Sequence, residues 1–80
     1  MDDQDILARV GELVAEEKAL RERSVGQGLA EDERARLAAV EVGLDQCWDL
    51  LRQRRARGEF GENPDRAAMR SPREVEGYES

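Results

Sequence analysis

The sequence predicts an all-α fold: an antiparallel helical hairpin, coiled-coil-like, that dimerises into a four-helix bundle and carries a tail of short helical turns. Three observations lead there. Apolar residues recur three and four apart through two long stretches. A glycine-bearing break, Ser24 to Gly28, separates those stretches. Charged residues make up 40% of the chain and aromatic ones 4%, a balance of long helices rather than of sandwiches or barrels.

The first helix is expected over about residues 2–23. Ile6, Leu7, Val10, Leu13, Val14 and Leu20 give it one apolar side. Asp2 suits the N-cap, and Asp3 and Asp5 suit a first turn whose free N–H groups favour negative charge. Gly26 and Gly28 then allow the positive φ that a chain reversal needs. The second helix is expected over about 31–57, with Leu37, Val40, Leu44, Cys47 and Leu51 as its heptad-like seam. Arg52, Arg54, Arg55 and Arg57 crowd its negative end, and Gly58 suits the position just beyond.

A short loop favours an antiparallel pair. Setting Leu13 against Leu44 also sets Val10 against Cys47, Ile6 against Leu51 and Asp3 against Arg54. Charge and apolar pattern agree in that register; a slip by one heptad would put Asp3 against Cys47. Residues 1–57 thus form the hairpin and 58–80 the tail. In the tail, Asn63-Pro64 reads as N-cap and first residue of a brief helical turn. Ser71 to Glu74 has capping-box spacing, with Gly77 to stop that turn. Either the tail folds back through Phe60, Met69, Val75 and Tyr78, or it is a mobile peptide.

Eighty residues build one small domain. Chains of this size rarely gain more than ~3–5 kcal/mol from one core and usually need a staple or a partner. A single cysteine cannot close an internal disulfide, and without histidine a zinc site is poorly served. That leaves oligomerisation, and twofold dimers are the commonest oligomers. Leu7, Val14, Trp48 and Leu50 flank the seam and are the residues expected between hairpins. Glu17 falls on the seam itself, where a polar residue fixes register or oligomer state, and its expected partner is Arg36 across the hairpin or an arginine of a second chain.

Net charge of −6 disfavours nucleic acid and anionic membranes as partners. The acidic opening is unlike a secretory signal, no apolar run approaches membrane-spanning length, and a free thiol suits a reducing compartment. The cytoplasm is the expected location.

Candidate chemistry is sparse. Cys47 lies mid-helix on the seam with no histidine to activate it, so it reads as a small buried hydrophobe. Trp48 reads as a packing residue or an interface anchor. The run Arg52 to Arg57 invites an anionic partner, contacted through Arg52, Arg54, Arg55 and Arg57; pairing with Asp2, Asp3 and Asp5 explains it more simply. Glu12 with Glu16, and Asp45 with Asp49, place carboxylates one turn apart, and both pairs read as solvated faces. Glycine-rich phosphate loops, nucleophile elbows and metal-spaced clusters are missing from the sequence, so no cofactor, metal or catalytic residue is expected.

LDQCWDLLRQRRA, followed by Glu59-Phe60-Gly61 and Asn63-Pro64-Asp65, resembles a family of short actinobacterial proteins of unknown function. The likeness takes in the opening MDDQDIL, the Glu33-Arg34 and Arg36-Leu37 start of the second helix, and the closing VEGY at Val75 to Tyr78. It implies a small, cytoplasmic, helical protein and brings no catalytic residues. In that family serine or threonine tends to cap the second helix; here Ala30 stands there, which implies a start weaker by about 1 kcal/mol.

The function these residues point to is non-enzymatic: self-association and the binding of another, unidentified protein. The alternative is a regulatory hairpin similar to anti-sigma proteins, in which the arginine cluster grips a transcription factor or a nucleotide.

Overall fold

The computed structural model describes residues 2–77 and is helical, with no strand among the described residues. Two long helices, α1 (Asp3–Gln27) and α2 (Glu31–Glu59), run antiparallel. After them come a single 3-10 turn at Pro64–Arg66 and a short helix α3 (Pro72–Gly77), both packed on α2. The molecule measures 50 × 27 × 15 Å, one long helix in length and little more than one helix deep.

α1 starts as the sequence suggests. Asp2 and Asp5 form a reciprocal capping box, each side chain accepting from the other's backbone N–H at 2.9 and 3.2 Å. Its end differs. The helix runs four residues beyond the expected Arg23, through Gly26, and only Gly28 takes a positive φ, of 70°. One glycine inside a helix costs about 1 kcal/mol, too little to stop a helix already packed on a neighbour. The connection is therefore three residues, Gly28 to Ala30.

α2 starts with half a capping box: the Ala30 N–H donates to Glu33 Oε1 at 3.0 Å, and alanine offers no oxygen in return. At the far end Gly58 stays helical. The positive φ falls on Gly61, at 74°, and the Glu62 N–H donates to the Arg57 carbonyl at 2.7 Å.

The core is a single seam. Ile6, Val10 and Leu13 of α1 meet Val40, Leu44 and Cys47 of α2, with Leu51 packed at its edge. Register is the expected one, since Arg54 donates to Asp3 at 2.5 Å at one end. Arg23 pairs with Glu33 at the other. Glu17, however, does not meet Arg36. Arg36 pairs with Glu16, one residue away, through a two-pronged contact. Glu17 instead lies beside Arg21 on its own helix. A step of 100° turns Glu16 outward to where a long guanidinium reaches it, whereas Glu17 points toward the seam.

The tail folds back onto α2, through different residues from those expected. Val75 is buried and Ala67 packs on the core, but Phe60 is 80% exposed and Met69 is half-exposed. Tyr78 lies outside the described residues. Both expected turns form. Asn63 caps the 3-10 turn by accepting from the Asp65 N–H at 3.0 Å. Ser71 caps α3 by accepting from the Glu74 N–H at 3.3 Å and donating to the Glu74 carboxylate at 3.1 Å.

Candidate interaction surface

The inward direction of each helix is fixed by its buried residues, and the two flanks of the seam differ. On one flank α2 receives the tail. Gln46 donates to the Arg70 carbonyl at 3.1 Å and Gln53 to the Ala68 carbonyl at 2.9 Å. Asp49, which reads in sequence as solvated, is 4% exposed, accepting from Gln53 at 2.9 Å and facing Arg70 at 3.4 Å. Leu50 is also 4% exposed, inside the hairpin's own core. That corrects its expected place between hairpins: the returning tail covers the side of α2 on which it lies.

The other flank is bare. Leu7 is 51% exposed, Val14 45% and Trp48 44%. Leu7 and Val14 stand one heptad apart, hence one above the other on α1. Trp48 belongs to the same side of the molecule, because Arg21, one heptad after Val14, bonds Glu41, one heptad before Trp48, at 2.7 Å. Counting from the Asp3–Arg54 pair, Trp48 is level with Arg9, between Leu7 and Val14. The three side chains form one apolar patch. Val25 is exposed farther along α1.

The four arginines divide in two. Arg54 is largely covered, tying together Asp3, Asp65 at 3.0 Å and the Pro64 carbonyl at 3.3 Å. Its neighbours hold its proton above the ordinary guanidinium range, the hydrogen bond to Asp3 first. Arg57 reaches Glu62 at 3.3 Å. These two serve the fold. Arg52 and Arg55 are exposed and pair with no carboxylate among the described residues. Asp2 and Asp5, expected beside the cluster, are taken up by their own cap.

Cys47 is buried in the seam, and burial pushes its thiol above the ordinary value against a small opposing pull from Arg9. A thiol so held is a poor nucleophile. Among the described residues no three metal-ligating side chains gather, and no helix is long and apolar enough to cross a membrane.

The family model described as "Protein of unknown function (DUF2630)" matches residues 2–80. The chain belongs to this family. Similar proteins include uncharacterised proteins of Mycobacterium bovis and of two strains of Mycobacterium tuberculosis. Each is 49% identical over 77 residues, covering 95% of this chain and 88% of the relative. These are actinobacteria, in keeping with the resemblance carried by the Leu44 to Ala56 block. No solved structure gives a significant match.

Proposed function

We propose that this DUF2630 protein is a non-enzymatic, cytoplasmic helical protein that associates with a second copy into a four-helix bundle and, in that form, binds another protein. One observation carries the reading: the patch of Leu7, Val14 and Trp48 stays bare on a chain that uses its tail to cover the opposite flank. Half-exposed tryptophan ringed by aliphatic side chains is the usual composition of an interface centre. A buried thiol and the lack of histidine support the non-enzymatic reading, since acid–base work would fall to the carboxylates alone. Size-exclusion chromatography with light scattering tests the assembly: a mass near twice 9.0 kDa at micromolar concentration is expected, and a monomer throughout would refute it.

The anti-sigma-like alternative draws on Arg52 and Arg55, which project without a partner among the described residues. In that reading they grip an acidic protein or a nucleotide. Replacing both with glutamine leaves Arg54 in the fold; loss of partner capture with an unchanged dimer mass would favour it.

A further inference from the structure

We infer that the second copy docks with α1 lying across α2 of its partner, so that Trp48 of each chain enters a notch at Gly11 of the other. The inference rests on the self-association proposed above and adds its arrangement. On α1, Gly11 stands between Leu7 and Val14, and a Cβ built there would meet no atom within 4 Å. The helix thus has a gap flanked by two apolar side chains, one turn to either side. Trp48 is the largest half-exposed side chain on the same flank, and it lies within two residues of the level of Gly11, between Leu7 and Val14. Knob and notch sit on different helices of one chain, too far round the hairpin to meet each other. A twofold axis parallel to the helices brings them together twice, keeping every residue at its own level while exchanging α1 for α2.

The charges around the patch agree. Asp3 stands at the level between Arg52 and Arg55 of α2, and Lys18 stands within two residues of the level of Glu41. Each helix therefore carries opposite sign to the other at both ends of the patch. Crossing α1 over the partner's α2 brings Arg52 and Arg55 to an Asp3 that already binds Arg54 in its own chain, and Lys18 to a Glu41 that already binds Arg21 in its own. An unrelated partner would need to reproduce this alternation; a second copy does so by symmetry.

Gly11→Leu tests the notch with its own control for folding. In the single chain the added side chain enters open space and improves helix propensity, so the thermal midpoint should hold or rise. In the dimer it fills the space for Trp48. Dissociation constants read from the emission of Trp48, the only tryptophan, on dilution should weaken at least tenfold. A wild-type chain that stays monomeric overturns self-association itself. A wild-type dimer that tolerates Gly11→Leu overturns only this arrangement. A second pair of variants gives orientation. Lys18→Glu should weaken the dimer, and adding Glu41→Lys should restore it. Because Glu41→Lys also gives up the Arg21–Glu41 pair of the single chain, restoration is judged against that single variant, and a double variant no tighter than either single one overturns the arrangement.

Discussion

The two flanks of α2 border the same apolar seam and are treated in opposite ways. One side presents Gln46, Asp49 and Gln53, a polar row at three- and four-residue spacing, to the carbonyls and Arg70 of the returning tail. The other presents Trp48, 44% exposed, between acidic Glu41, which meets Arg21, and basic Arg52. Side-chain amides that donate to carbonyl oxygens hold the peptide by its backbone, while Phe60 and Met69 stay largely outside the contact. An aromatic knob with charges spaced along its helix suits a rigid, helical neighbour. The contrast teaches that the hairpin covers one side of its seam with its own tail and leaves the apolar residues of the other side half-exposed.

Leu50→Ala should break the covered side most severely. Removing a leucine from the core costs about 2–5 kcal/mol, and urea unfolding should show it. Trp48→Ala, on the bare side, should cost the isolated fold only about 1 kcal/mol, because much of the ring already faces water. Equal losses in both would erase the distinction. Next comes Asp49→Ala, which leaves Gln53 and Arg70 short of a partner at a site 4% exposed. A loss of about 1–3 kcal/mol is expected, with faster hydrogen exchange in α3 before any change in α1.

Smallest is the pH effect at Glu16. The hydrogen bond from Arg36 is the main cause holding its carboxyl below the ordinary value of 4.5. A depressed folded-state value contributes stability above 4.5 that is lost as pH falls through the lowered value. Thermal melts between neutral and acid pH should therefore fall less steeply for Glu16→Gln than for the natural chain. Parallel curves would show that this exposed pair adds nothing.

Much of this architecture is legible in the residues. The heptad seam gives both helices and their direction, and matching Asp3 to Arg54 gives the register that the structure has. Capping spacing places the turns at Asn63 and Ser71, because those caps are decided within four residues. Helix ends are less legible: Gly26 and Gly58 look like stops, yet both stay helical, since one glycine costs a helix only about 1 kcal/mol. The covered flank is missed for a different reason. Leu50 and Asp49 look like an interface leucine and a solvated acid until the tail, some twenty residues further along the chain, lies over them. Gln46, Asp49 and Gln53 at one-turn spacing are the signal that could have found it.

The bare flank as a meeting surface is tested most directly by sedimentation velocity of the full chain and of Trp48→Ala over a hundredfold range of concentration. The natural chain should move from 9.0 kDa toward twice that mass as concentration rises, while Trp48→Ala stays at the single-chain value with its helical spectrum intact. A natural chain that sediments as a monomer at every concentration, or a Trp48→Ala dimer as tight as the natural one, would contradict it.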